Sequence, residues 1–530
     1  MSKLQVQAAH LLLRDHFGIL VADVGDVLLR GGILPLPIIA YRSKLALSKV
    51  KQALAILIQH HFVTFTSGGQ LRNIEYRCLI DRVLLLPRYP QYMLIAKKLF
   101  GEAAELIVEE LLAHGELSLS QCVQRVTRRL EAVGATQDGD SIKPEDVKHK
   151  FVNLVETHFL CRCPEIDTSG KAEESDTPSF RTNMDLYLLP DSVDIYGSEK
   201  PENSTQRKRK LDEGDGRRAE PDADILWRVN FDRFHEYLRD QYMLTVARNR
   251  IDQNAEVVLR AALRLSEVRT SPSAGQSVSL SSLNEILKLI PDNANLVKTQ
   301  VEQYLALLCD DRTRMVRKVG ESGGGLYVID FANAMKAICL STVESIIQER
   351  YGTKALRIVN LLLEKGYLEQ NEIETFAMLP SKEGKEMTYR LLTNNILSTK
   401  EVPKTNDFAP SRTFYLFHVH VPQVVRMFCD KSYKMISNLV LRRYHENEEH
   451  KALLERQDRL ESVIANIRAD PSLSDDLKEQ HVREVDEVYL SVAERETLEK
   501  YRRYVASLQQ AETEVDETVL IFNFYVKYSA

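Results

Sequence analysis

Residues 48–79 read SKVKQALAILIQHHFVTFTSGGQLRNIEYRCL, and two periodicities follow one another within them. Val50, Ala53, Leu54, Leu57 and Ile58 recur at three- and four-residue spacing, which puts them on one face of a helix ending near His61. Ser48 stands where an N-cap belongs. Phe62-Val63-Thr64-Phe65-Thr66 then reads as a strand, Ser67-Gly68-Gly69-Gln70 as a turn and Ile74–Leu79 as the return strand. Two more helical stretches lie upstream, around 6–30 and 36–45. Three helices closed by a hairpin make a winged helix.

The same order recurs three times. A helix over about 144–158 leads into the strand Phe159–Cys163, with a return strand expected at Met184–Leu189 after a long, charged, Ser/Thr-rich wing. A helix over about 295–309 leads into Met315–Val319, the glycine turn Gly320–Gly325 and Leu326–Ile329. A helix over about 382–394 leads into a strand near Ile396–Val402, a proline-bounded turn and Phe414–Phe417. Spacings of this size mean domain duplication, not a short-period solenoid.

Beyond Val421 helix formers dominate. One long helix is expected over about 422–468, a break at Ala469-Asp470-Pro471-Ser472, and a second helix over about 474–511. Leu453, Leu460 and Ile467 repeat at sevens, and Val485, Val488, Val492, Val505 and Leu508 continue at near-heptad spacing, which suits an antiparallel coiled coil. The apolar end, Val519–Val526, fits a strand, a last helix or a docking tail equally well.

The fold class is therefore mainly α with small β-hairpins: four tandem winged helices and a C-terminal antiparallel coiled coil. The expected divisions are 1–85, 86–190, a flexible linker at 191–224, 225–330, 331–420 and 421–530. Within that linker, Arg207-Lys208-Arg209-Lys210 reads as a nuclear localisation signal or as a solvated basic run.

Bulk properties exclude several classes. The net charge of −6 over 530 residues argues against coating nucleic acid by charge alone. Seven scattered cysteines without any Cys-x-x-Cys fit reduced thiols better than a zinc ribbon or a disulfide framework. The first residues lack the pattern of a secretory leader, and no stretch is apolar for long enough to span a bilayer.

Catalytic fingerprints are missing in the same way. The glycines of 320–325 precede a strand, whereas a phosphate cradle needs a helix there. Ser381–Lys385 contains Gly-Lys without the preceding glycine of a P-loop. His445 and His450 are five apart, so they stand on different helix faces. His60-His61 at a helix end suits a cation complementing the helix dipole. The reading is of a non-enzyme without cofactor or metal.

A winged helix offers a helix for a groove and a wing for phosphates. The candidate DNA contacts are Lys44, Lys49 and Lys51, with Arg42 beside them, in the first unit, and Arg312, Arg314, Arg317 and Lys318 in the third. A solvated basic edge or a protein-docking surface is the competing reading of both sets.

Several segments resemble a known family. Leu11–Phe17 (LLLRDHF), Glu105–Leu112 (ELIVEELL), Trp227–Asp240 (WRVNFDRFHEYLRD), Gly320–Ile329 (GESGGGLYVI), Glu374–Pro380 (ETFAMLP), Ala409–Leu416 (APSRTFYL) and Val515–Thr518 (VDET) are similar to the third subunits of eukaryotic RNA polymerase III, relatives of the TFIIE alpha subunit. The resemblance implies four extended winged helices and a coiled coil. It also implies a nuclear protein in a heterotrimer with two other polymerase III-specific subunits, docked on the clamp of the largest subunit. Initiation factors and single-stranded or melted DNA are further implied partners, in promoter-directed initiation at transfer RNA and 5S ribosomal RNA genes. A free-standing winged-helix regulator and a PCI-type scaffold are the alternatives.

Overall fold

The computed structural model describes residues 2–67, 74–134, 144–164, 186–189, 222, 225–269, 280–291, 296–404, 412–469 and 475–529. Four times over, the chain runs helix, helix, short strand, helix, helix, strand, strand. The first copy comprises α1 (Lys3–Phe17), α2 (Ile19–Gly31), β1 (Leu34–Pro35), α3 (Leu36–Ser43), α4 (Leu47–Gln59), β2 (Val63–Ser67) and β3 (Ile74–Cys78). A short α5 (Ile80–Val83) precedes the second copy: α6 (Tyr89–Phe100), α7 (Glu102–His114), β4 (Leu117–Ser118), α8 (Leu119–Gly134), α9 (Pro144–Glu156), β5 (Leu160–Arg162) and β6 (Leu226–Val229). The third is α10 (Phe231–Arg250), α11 (Gln253–Arg269), β7 (Ser281–Ser282), α12 (Leu283–Leu289), α13 (Lys298–Asp310), β8 (Val316–Gly320) and β9 (Leu326–Ile329). The fourth is α14 (Phe331–Tyr351), α15 (Thr353–Lys365), α16 (Gln370–Phe376), α17 (Ser381–Thr393), β10 (Ser398–Pro403) and β11 (Thr413–His418), its short first strand reduced to the bridge Leu368↔Phe417.

Sheet order repeats with the helices. The last strand lies in the middle each time: β1-β3-β2, β4-β6-β5 and β7-β9-β8, all antiparallel. Each copy therefore adds one helix in front of the winged helix proper.

Two backbone devices recur at fixed places. Gly18, Gly101 and Gly352 join the first two helices of their copies at φ 83°, 96° and 87° with ψ near 180°. Only glycine adopts that conformation without strain. The third copy uses Asp252 instead, whose carboxylate accepts from Ala255 N–H at 2.8 Å. At the other end, His61, His158 and Asn395 each end the fourth helix of a copy at φ 58°, 66° and 59°. The next residue's N–H returns to a carbonyl five residues back, as in Phe62→Leu57, Phe159→Leu154 and Ile396→Leu391. Phe62, Phe159 and Ile396 are all buried, which fixes where the strand enters.

The sequence placed the second hairpin's return strand wrongly. Leu186–Leu189 form no strand, and Leu186 and Leu188 are exposed, although Leu186 O accepts from Arg162 N–H of β5 at 2.8 Å; Met184 and Asp185 fall outside the described residues. The pairing strand is β6, in register Leu160↔Val229, Cys161↔Arg228 and Arg162↔Trp227. Burial decides it: Trp227 and Val229 alternate into the core, and Trp227 meets Phe151 edge-on at 5.7 Å. The segment expected to link the second and third units is thus enclosed between two strands of one sheet. Leu226–Val229, expected to open the third unit, belongs to the second. Arg207–Lys210 fall outside the described residues.

Two smaller expectations also fail. Ser48 is not the cap of α4, whose N-cap is Ala46, with no side-chain hydrogen bond. His60 and His61 do not serve as dipole-complementing cations. Burial holds each at about 4, below the usual 6.5, helped by His114 beside His60 and by Arg228 and Arg82 near His61.

The described C-terminal region consists of four helices: α18 (Val421–Glu449), α19 (Lys451–Ala469), α20 (Asp475–Tyr489) and α21 (Val492–Ser529). Each expected long helix is interrupted once. The chain turns at His450, and Ser491 starts α21 by a capping box with Glu494 (Oγ to N–H 3.3 Å, Oε2 to N–H 3.0 Å). Val492, expected in the seam, lies in that exposed first turn. The break expected at 469–472 falls largely outside the described residues.

By contacts the chain forms two compact units, Met1–Glu236 with Ser437–Ala506, and Tyr237–Ile436 with Ser507–Ala530. In the first, Arg443 pairs with Asp15 at 2.8 Å and the Arg14 guanidinium stacks on Tyr444 at 4.6 Å. In the second, the end of α21 serves two cores. Leu520 and Phe524 join that of the third winged helix, and Phe522 and Tyr525 that of the fourth. The apolar tail is a helix used as internal packing.

Candidate nucleic-acid interface

The first candidate set lies on α3, α4 and the turn between them. Lys44 ends α3 in the left-handed conformation (φ 57°), which turns the chain sharply into α4. Lys49 and Lys51 stand in the first turn and a half of α4, the third helix of the winged helix proper. Both are exposed, as are Lys44, Arg42 and Gln52. Val50, Ala53, Leu54 and Leu57 take the opposite face into the core. The structure therefore leaves the three lysines exposed around the start of a helix whose first-turn N–H groups lack a side-chain cap, Lys49 and Lys51 flanking the buried Val50 about 160° apart around its axis.

The sequence holds a further signal in its charge pattern. From Val27 to Ile74 there is no Asp or Glu, while Arg30, Arg42, Lys44, Lys49, Lys51 and Arg72 are present. Among the described residues of this stretch only Arg30 pairs with a carboxylate, Asp26 at 2.8 Å. A chain that is acidic overall thus carries one domain with an uncompensated cationic face. Screening cuts off interactions beyond about 8–10 Å at ordinary salt, so local charge governs what a phosphate meets. The same face also carries apolar groups, with Tyr41 86%, Leu47 48% and Ile56 37% exposed.

The second set is less uniform. Arg312 and Arg314 sit on the turn before β8, Arg314 at φ 45°. That turn is tied by Asp311, which accepts from Thr313 N–H at 3.2 Å and is gripped by Arg250 at 2.8–3.2 Å. Arg250 and Asp311 lie 61 residues apart, so their partnership could not be read from spacing. Arg317 and Lys318 are consecutive on β8 and project from opposite faces of the strand. Lys318 donates to both carboxylate oxygens of Glu321 at 2.8 Å. These four residues do not form one cationic surface. Arg312, Arg314 and Arg317 remain as exposed charges.

A third surface was missed because its partners are distant in sequence. In the fourth copy, Lys365 lies 4.6 Å from the Phe376 ring centroid, Lys400 5.2 Å from Tyr367 and Lys404 4.3 Å from Phe414. Cation–aromatic pairs of this kind suit a backbone phosphate beside a stacked base.

Comparison with known proteins accounts for nearly the whole chain. Residues 7–68 match the RNA polymerase III subunit RPC82 helix-turn-helix domain, and residues 149–338 match RNA polymerase III subunit RPC82. Residues 343–419 match the POLR3C C-terminal winged-helix domain, and 452–521 the RPC3 helical hairpin domain. The chain is 38% identical over 539 residues to the DNA-directed RNA polymerase III subunit RPC3 of Homo sapiens, covering 99% of both chains. It is 38% identical to that of Danio rerio, again over 99% of both, and 22% identical to that of Dictyostelium discoideum over 85% of this chain and 93% of the other. Repeated winged helices, a helical hairpin and end-to-end likeness agree: the chain belongs to the RPC3 family of RNA polymerase III subunits.

Proposed function

We propose that this chain works in promoter-directed initiation by nuclear RNA polymerase III, at genes such as those for transfer RNA and 5S ribosomal RNA. In this reading it is the winged-helix member of a heterotrimer with two other polymerase III-specific subunits. The heterotrimer docks on the clamp of the largest subunit, beside initiation factors. Its contribution is positional. Helices and wings hold melted DNA near the cleft, and phosphodiester chemistry belongs to other subunits.

The observation that carries the reading is the carboxylate-free stretch 27–74, which leaves Lys44, Lys49 and Lys51 exposed on α4 and its entry turn. Phosphate contacts supply sequence-independent affinity, and this suits a subunit that serves many promoters. Arg312, Arg314 and Arg317 form a secondary set, with Lys318 weakened by Glu321. Arg207–Lys210 is proposed as the import signal. The exposed Tyr41, Leu47 and Ile56 favour a second reading of the first face, as a surface for another polymerase subunit.

Affinity purification of the tagged chain with crosslinking tests the assembly. Polymerase III subunits should co-purify, with crosslinks from Lys44, Lys49 or Lys51 to DNA in initiation complexes. Recovery of the chain alone would refute the assembly, and crosslinks from those lysines to protein only would favour the second reading.

A further inference from the structure

His61, Glu116 and Cys163 come together from three separate elements. His61 is the left-handed residue that closes α4. Glu116 stands between the end of α7 and β4, just after Gly115, and Cys163 directly follows β5. Cys163 Sγ lies 3.7 Å from His61 Nε2, and His61 Nε2 lies 3.7 Å from Glu116 Oε2. One donor atom from each residue falls within 4.8 Å of the others. In a tetrahedral zinc site, with bonds of about 2.0–2.3 Å, ligand atoms are separated by roughly 3.3–3.6 Å. The two 3.7 Å pairs thus need to contract only slightly to close on an ion, with the Cys163–Glu116 pair within 4.8 Å.

We propose that His61, Glu116 and Cys163 bind a zinc-class divalent transition-metal ion, clipping the first winged helix to the second. Donor chemistry selects the class, because thiolate and imidazole favour zinc or cobalt over magnesium and calcium. Binding replaces the Cys163 S–H bond with an S–metal bond and releases the proton to solvent, without any redox change. His61 and Glu116 are about a quarter exposed, so the open side gives water the fourth position. The framework is fixed by the backbone: Cys163 N–H donates to Leu226 O at 2.8 Å, and Phe62 N–H to Leu57 O at 2.9 Å.

The competing arrangement is a metal-free hydrogen-bonded trio. Chelator-stripped full-length chain titrated with Co²⁺ distinguishes them, since ligation by sulfur gives a thiolate-to-cobalt charge-transfer absorption. The proposal expects that band to saturate at one equivalent, to be displaced by Zn²⁺ and to vanish in Cys163→Ser. His61→Gln should also abolish it, and His450→Gln should leave it intact, because the Glu446–Glu449–His450 group contains no thiol. If Cys163→Ser loses its circular dichroism, Glu116→Gln at the solvent side takes its place, with Zn²⁺ affinity expected to fall roughly tenfold or more. No charge-transfer band at one equivalent, or a band that survives Cys163→Ser or His61→Gln in folded protein, overturns the site.

Discussion

The backbone N–H of Ser120 donates to Asp222 Oδ2 at 2.8 Å, across 102 residues of sequence. Ser120 opens α8 and Asp222 lies just before β6, so the contact pins the far end of the long insertion to the sheet's own helix. Asp222 is 3% exposed and caps a helix N-terminus, where a carboxylate is favoured. Asp222→Ala should cost about 1–2 kcal/mol. Hydrogen exchange at Ser120 and its neighbours should rise by the matching factor. Unchanged protection there would mean that the bond is dispensable.

Gly18, Gly101 and Gly352 offer a cleaner backbone test. A Cβ added at any of them meets nothing within 4 Å, so substitution adds conformational strain without a clash. Each Gly→Ala change should destabilise by about 1–3 kcal/mol, and Gly→Asn should do no better, because ψ near 180° lies outside the left-handed region that asparagine tolerates. His158→Gly should instead be close to neutral, since φ 66° there is ordinary for glycine. Denaturant midpoints compare the two classes directly. Equal costs at both would contradict the assignment.

Phe522 has no exposure and packs in the core of the fourth winged helix. Phe522→Ala should therefore cost about 3–5 kcal/mol. A tail that merely docked on a partner would leave the isolated chain's melting temperature unchanged on this substitution, and that result would refute the packing role.

His16 sets a pH dependence in the first unit. Burial holds its folded value below the usual 6.5, against the pull of Asp15 and with a smaller push from Arg443. Its folded form resists protonation more than the unfolded chain does. Its contribution is therefore fully present above about 6.5 and is lost as pH falls below it. His16→Gln should lessen the decline in urea midpoint between about pH 7.5 and 5, with His60 and His61 supplying the remainder. A decline identical to that of the parent would assign the effect to other groups.

Local patterns in the sequence revealed the helix before each hairpin and three of the four hairpins, because Val50, Ala53, Leu54 and Leu57 lie on one helix face and glycine or proline marks the turns, whereas the earlier helices of the second, third and fourth copies went unread. The second hairpin misled because its strands are separated by the insertion, and Leu186 and Leu188 imitate an apolar alternation that is in fact exposed. Trp227 and Val229 carried the true alternation, yet they lay beyond an expected domain boundary. The breaks at His450 and Ser491 escaped a reading based on heptads alone, although Ser491 and Glu494 spell a capping box. Of the candidate contacts, Lys44, Lys49 and Lys51 are exposed near one another in sequence because one turn and the start of one helix carry them. Lys318 drops back because its partner Glu321 lies across the turn, a matter of side-chain geometry.

Whether the first winged helix supplies the nucleic-acid grip is tested most directly by the salt dependence of binding to an unstructured single-stranded oligonucleotide. The full-length chain is compared with its Lys44→Glu/Lys49→Glu/Lys51→Glu variant and its Arg312→Glu/Arg314→Glu/Arg317→Glu variant. At about 0.7 per phosphate contact, losing three contacts should lower the slope of log affinity against log salt by about 2. The account predicts that drop, with weaker low-salt binding, for the lysine variant and a smaller change for the arginine variant, both with unaltered circular dichroism. A lysine variant that binds with the parent's affinity and slope would contradict it.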